Sequence, residues 1–352
     1  MMNLPGHALW FLPGKFRLAK LLGPKYSLRC VLFHHIADKQ SPFTHGLGVT
    51  MSPDDFEARI RFISRYYTPV DLDTILAAAK GRELPPRAVL VTFDDAYASV
   101  AEVAAPICAK YRVPACFFVN GAFLGNVDIS LDNLLCYVAN TVGLRPINAL
   151  ARELNGPDQK ELHSRIQITQ EFIPTLSRER RVAFKARLAE TIGFRTEDLA
   201  RDAGLYISPE QVRELACSGF EIGNHTYSHV HCRILSGSDY SSEVDQNRAT
   251  LEKASGRSVR VFSVPYGSVA DFTPDLEAHL RKAAYDAAFL VESRTNTRAT
   301  NLYHLNRVSV HASSDAGTFA EIEVIPRLRA IRDSLLGERK PHSTGYVSSL
   351  PF

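Results

Sequence analysis

Apolar residues fall into two rhythms along this chain. Short unbroken runs at 30–33 (CVLF), 88–93 (AVLVTF) and 115–119 (ACFFV) read as fully buried parallel strands. Further strand-like runs lie at 220–223, 259–263, 287–291 and 307–310. Between them the apolar spacing is helical. Residues 52–66 open on Ser52-Pro53, an N-cap followed by proline at the first helical position, and Phe56, Ile60 and Ile63 then share one face. Residues 71–80 and 98–111 read as helices in the same way. From 126 to 210 the strand rhythm stops and amphipathic helical patterns take over, with 177–190 rich in Arg, Lys and Glu.

Strands alternating with helices imply parallel pairing and an α/β fold, with the functional groups gathered at the carboxyl ends of the strands. The expected layout is an N-terminal segment over 1–28, a barrel over 29–335 carrying a helical insertion at about 126–210, and a loose tail over 336–352. A length of 352 residues suits one barrel with additions. The chain shows no internal repeat and no low-complexity tract.

Composition excludes more than it assigns. A net charge of +3, without a Lys/Arg stripe interleaved with aromatics, argues against nucleic acid as partner. Cys30, Cys108, Cys116, Cys136, Cys217 and Cys232 form no CxxC pair, so they read as reduced, structural thiols in a cytoplasmic protein. The apolar stretch near the N-terminus is broken by Pro5, Gly6, Pro13 and Gly14, and its basic residues follow rather than precede it, unlike a signal peptide. Trp10, Phe11, Phe16 and Leu18 beside Lys15, Arg17 and Lys20 offer an alternative use, as a peripheral contact with the inner membrane surface.

Two motifs carry chemistry. Asp94-Asp95 closes the buried run 88–93, where two carboxylates are costly unless something compensates them. By itself the pair also reads as a solvated loop or a helix cap. His225 and His229, spaced i and i+4, would share one face of a helical turn and could grip one cation, although an isolated pair at this spacing is commonly a surface or core feature. Together, one Asp and two His leave open positions on a catalytic metal, and the second Asp can take the proton of an attacking water. The reaction class is hydrolysis of an amide or ester.

The series TFDD (92–95), HTYSH (225–229) and VPYG (264–267) resembles the polysaccharide deacetylase family, the NodB-homology enzymes of carbohydrate esterase family 4. The resemblance covers roughly 29–125 and 215–312. It implies a distorted (β/α) barrel that removes N-acetyl groups from amino sugars with a divalent metal. It matches Asp95, His225 and His229 to the metal ligands, Asp94 to the catalytic base, and the backbone N–H of Tyr266 to the oxyanion donor. Zinc is the first expectation for such a set, and cobalt, nickel or iron fit the same donors.

Two positions depart from the pattern. Ser263 stands where the family carries an arginine that orients the base, and Ala96 stands where a glycine is usual. A branch that also lacks this arginine, the permuted poly-N-acetylglucosamine deacetylases, resembles the segment VLFHHI (31–36) and the helix after it. That resemblance implies His34 as the general acid, with His35 and His311 as alternatives. Leu305 and Arg307 are assigned to the barrel wall, outside catalysis. Two other functions compete: a deacylase or deformylase of a non-polysaccharide amide, and a degenerate carbohydrate-binding protein.

Overall fold

The structure is a computed structural model, and it describes residues 27–156 and 158–336. In chain order the strands are β1 (Arg29–Phe33), β2 (His35–Ile36), β3 (Thr50–Met51), β4 (Thr68–Pro69) and β5 (Ala88–Phe93). They continue with β6 (Ala115–Val119), β7 (Glu221–Asn224), β8 (Val261–Ser263), β9 (Ala287–Leu290) and β10 (Leu305–Ser309). Of the expected N-terminal segment 1–28 and tail 336–352, residues 1–26 and 337–352 lie outside the described residues.

Seven strands close a parallel barrel in the order β1-β5-β6-β7-β8-β9-β10, and β10 returns to pair with β1. Each comes from one of the seven apolar runs. The last is shifted, beginning at Leu305 rather than 307. Short β4 extends the sheet from β5, and β2 and β3 pair with each other above the barrel. These two-residue strands are too short to leave a period in the sequence.

Alternation along the strands divides the core in two. Val89, Val91 and Phe93 of β5 face outward into a large cluster with the helices. Ala88 and Leu90 face inward with Cys30, Cys116, Phe118, Val261, Ala287, Phe289 and Leu305. Thr92 keeps the inward parity, and Asp94 extends it one step past the strand end. The outer helices start as the sequence indicates: the Ser52 side chain caps Pro53–Tyr66 by accepting from the Asp55 N–H.

The helical insertion lies between β6 and β7 and includes Leu131–Thr141, Arg145–Asn155, Arg178–Thr191 and Thr196–Ala203. Its last residues are stitched to the segment after the Asp pair: Ala98 donates to Leu205 O (2.6 Å) and Ile207 donates to Ala96 O (3.0 Å). The insertion is therefore held over the carboxyl ends of the strands. Among the described residues no helix is long and apolar enough to cross a membrane.

Candidate active site

Asp94 is 3% exposed and does not stand alone. Arg307 Nη1 donates to Asp94 Oδ1 and Arg307 Nη2 to Asp94 Oδ2, both at 2.7 Å. Ser263 Oγ accepts from Arg307 Nη2 (2.7 Å) and donates to Asp94 Oδ2 (3.2 Å). The guanidinium also donates to Leu290 O (3.3 Å) and lies 5.3 Å from the Phe118 ring centroid. Burial pushes the Asp94 carboxyl up, but Arg307, with His225 and His34, outweighs it and holds the group below the ordinary carboxylate range.

This corrects the assignment of Arg307 to the wall alone. Its backbone is in the wall, opposite Cys30 of β1, but its side chain turns into the barrel and is fully buried. Leu305 is a wall residue, as expected. Arginine is almost never fully buried without a counter-charge. An arginine at an inward position of an apolar strand was the available signal, and Asp94 was the acid to pair with it. Ser263 is then a small bridge that leaves room for the guanidinium from β10.

Asp95, His225 and His229 converge. Asp95 Oδ1 lies 3.4 Å from His225 Nε2 and 3.3 Å from His229 Nε2. One ligand atom from each lies within 4.8 Å of the others. Both rings are fixed from behind. His225 Nδ1 sits 2.8 Å from Ser263 O, an acceptor only, so it carries the hydrogen and Nε2 turns its lone pair to the site. His229 Nδ1 meets Asp132 Oδ2 at 2.9 Å. Such carboxylate and carbonyl partners are the usual support of metal-binding histidines, so the donor set fits a divalent cation. Burial pushes Asp95 up, but His229 and His225 outweigh it and hold it well below its ordinary value. Burial lowers His229, yet Asp95 and Asp132 raise it overall.

The histidines do not sit on a helical turn, contrary to the spacing argument. Residues 225–229 form a loop, with Thr226 at φ 60° and His229 at φ 53°. Buried polar groups hold this shape. Asn120 Nδ2 donates to the carbonyls of His225 and Thr226, and Thr226 N–H donates to Asn224 Oδ1 (3.0 Å). Glu243 accepts from Ser228 N–H (2.9 Å) and Ser228 Oγ (2.8 Å). Left-handed backbone recurs across the site, at Asp95 (φ 70°), Ala96 (φ 57°) and Tyr266 (φ 61°). Non-glycine residues held this way are strained, and such strain clusters at functional sites. The φ of Ala96 gives the physical reason why glycine is the easier residue there.

Asp132 escaped the sequence reading. It lies in the first turn of the insertion helix Leu131–Thr141 and accepts from both His229 and Tyr266 Oη (2.8 Å). Nothing in the local sequence separates it from an ordinary first-turn acid. The Tyr266 ring stacks on His231, with centroids 3.7 Å apart and planes at 8°. Gly267, at φ 67°, allows the turn beneath it, where a Cβ would meet Val291 at 2.2 Å. The Tyr266 N–H makes no hydrogen bond among the described residues and is available to a ligand.

His34, Asp94, Asp95, His225, His229 and Tyr266 line one pocket with Asp132 and Arg165 of the insertion. His35 points elsewhere, with Nδ1 3.0 Å from Thr50 Oγ1. His311 lies past β10 and lines a neighbouring cavity that also touches His34. Burial holds His34 down to about 4, against the raising effect of Asp95 and Asp94.

The family model described as polysaccharide deacetylase matches residues 81–288. No curated protein matches the sequence. The Streptococcus pyogenes deacetylase PplD, solved with acetate, is similar over 85% of this chain and 100% of its own, at 15% identity and TM-score 0.57. The polysaccharide deacetylase homologue BA0330 of Bacillus anthracis is similar over 84% of this chain and 69% of its own, at 16% identity and TM-score 0.54. IcaB from Ammonifex degensii covers 85% of this chain and 97% of its own, at 19% identity and TM-score 0.53. At these identities the solved structures establish a common fold. The matched stretch 81–288 stops short of both His34 and Arg307.

Proposed function

We propose that this chain, which belongs to the polysaccharide deacetylase family, is a metal-dependent hydrolase that removes the N-acetyl group from an acetylated amino sugar. The observation that carries the reading is the juxtaposition of an oriented, ionised carboxylate with a three-donor cation site in one pocket. Asp95, His225 and His229 would hold the cation, with zinc the first choice among zinc, cobalt, nickel and iron. A divalent cation there supplies Lewis acidity towards the acetamide carbonyl and lowers the pKa of water.

The remaining steps belong to the chain. Asp94, kept charged and in plane by Arg307 and Ser263, accepts a proton from the attacking water. The Tyr266 N–H donates to the oxyanion of the tetrahedral centre. His34 in its imidazolium form protonates the departing nitrogen. With its pKa near 4 in the resting site, that form is a minority at neutral pH. Negative charge growing at the tetrahedral centre raises it as the reaction proceeds. The insertion contributes Asp132, which fixes His229, so the pocket depends on it.

The test is acetate release from N-acetyl sugars and their oligomers. Chelation is expected to abolish turnover, and Asp94→Asn is expected to retain the metal while losing turnover. Full activity in a chelated, metal-free preparation would overturn the mechanism. Formate or acyl release from small non-sugar amides, with none from sugars, would favour the deformylase reading. A preparation that binds no metal would favour a carbohydrate-binding protein. Placement in the cytoplasm, with contact at the inner membrane surface through the N-terminal segment, is part of the proposal and is tested by cell fractionation.

A further inference from the structure

The polar side chains of the pocket wall are almost all committed. Asn133 accepts from Ser130 Oγ (2.7 Å) and from Tyr206 Oη, and it donates to Tyr97 Oη (3.0 Å). Asn120 is spent on the 225–229 loop. Each acid in the pocket also has partners already: Asp94 has Arg307, Asp132 has His229, and Asp95 faces both histidines. Arg165 differs. It lines the same pocket, is half-buried, and its guanidinium makes no hydrogen bond or ion pair among the described residues. It comes from the insertion, just before the buried residues Ile168 and Thr169 that anchor its segment.

We propose that Arg165 is the binding site for an anionic substituent of the substrate, a carboxylate or a phosphate carried on or next to the N-acetylated sugar. This rests on the proposed function above and sharpens its substrate class. A guanidinium presents donors in a planar fork that matches both oxyanions, and such charge-assisted contacts are the strong ones. A neutral N-acetylated sugar offers Arg165 only uncharged hydroxyl, ether and carbonyl acceptors. With Asp94 paired to Arg307, and Asp95 and Asp132 offset by a bound divalent cation, no acid in the pocket is left to neutralise Arg165.

The experiment compares three sugars that share one N-acetyl group: N-acetylglucosamine, N-acetylglucosamine 1-phosphate, and N-acetylmuramic acid with its carboxylate. Acetate release is measured with the wild type, Arg165→Gln and Arg165→Lys. In parallel, calorimetric binding of the three sugars is measured on the Asp94→Asn and Asp94→Asn/Arg165→Gln proteins. The wild type is expected to favour at least one anionic sugar by about tenfold or more in kcat/KM. Arg165→Gln is expected to collapse that ratio, and Arg165→Lys to keep part of it. Preference for the phosphate alone or the carboxylate alone identifies the source of the charge. Equal use of all three sugars, or a preference that survives Arg165→Gln, overturns the proposal. If neither these sugars nor N-acetylglucosamine oligomers release acetate, the deacetylase reading fails separately. Binding then decides the charge preference, and anionic sugars that bind no tighter than the neutral one overturn it.

Discussion

Arg307 and Asp94 meet as two planar forks inside the barrel, each guanidinium Nη 2.7 Å from its own carboxylate oxygen. The pair joins β10 to the end of β5 across 213 residues of sequence. On the proposed function it orients Asp94 from the last strand, the task that the family resemblance gives to an arginine at the position of Ser263. Arg307→Met is expected to lower kcat/KM by about a hundredfold or more, the scale of losing an oriented general base. Without its counter-charge, buried Asp94 ionises less readily, so the acid limb of the pH–rate profile moves to higher pH. Arg307→Lys keeps charge but loses the fork, and should fall between. An unchanged profile in Arg307→Met would remove this arginine from the site. Because breaking a buried pair also costs about 3–5 kcal/mol of stability, folded fraction is measured alongside.

On the proposed function, Asp132 would act on the metal through its contact with His229. Asp132→Asn keeps the shape but weakens the acceptor, and is expected to reduce zinc affinity by about 10- to 100-fold. Tyr266→Phe, which removes the other donor to the same oxygen, should have a smaller effect on affinity. Competition titration against a chromophoric chelator reads both. Equal zinc affinity in wild type and Asp132→Asn would break the link between insertion and metal.

In the metal-free site Asp95 and Asp132 raise the His229 pKa above 6.5. A cation needs the neutral ring, so binding must expel a proton wherever His229 is charged. Apparent zinc affinity should fall as pH drops through the range around and below that raised value. Calorimetry in buffers of different ionisation enthalpy should report proton release on binding. Affinity independent of pH on both sides of 6.5 would contradict the pairing described for His229.

His35 bears on stability rather than chemistry. Burial holds it at about 4 in the folded protein, against 6.5 for an ordinary imidazole. Between these values the unfolded chain binds the proton and the folded one does not. The stability present above pH 6.5 is therefore lost as pH falls towards 4. Urea midpoints in the presence of chelator should drop across this window, and His35→Asn should flatten the drop. Equal slopes in the two proteins would assign the effect elsewhere.

The residues most legible in the sequence were those set by local pattern. Runs such as AVLVTF carry their own period, so the seven barrel strands and the Asp94-Asp95 strand end could be read directly. Ser52 and Pro53 announced their helix. What escaped was set by closure in space. Arg307 looked like a wall residue because only the ring of strands brings β10 back beside β1 and β5. Asp132 looked like a helix-terminal acid because only the stitching of the insertion to Ala96 and Ala98 carries it over His229. The i, i+4 spacing of His225 and His229 predicted convergence correctly and the backbone wrongly. Thr226 and His229 reach left-handed φ through bonds from Asn120, Asn224 and Glu243, none of which is a local signal.

The return of β10 to β1 also fixes an order of assembly. During synthesis the first nine strands leave the ribosome before Arg307 does, and until then β1 and β9 are bare sheet edges, open to pairing with other chains. The last strand therefore seals the edge and, in the same event, clamps the carboxylate of Asp94. A chain ending before Leu305 would carry Asp94 without the guanidinium that holds it.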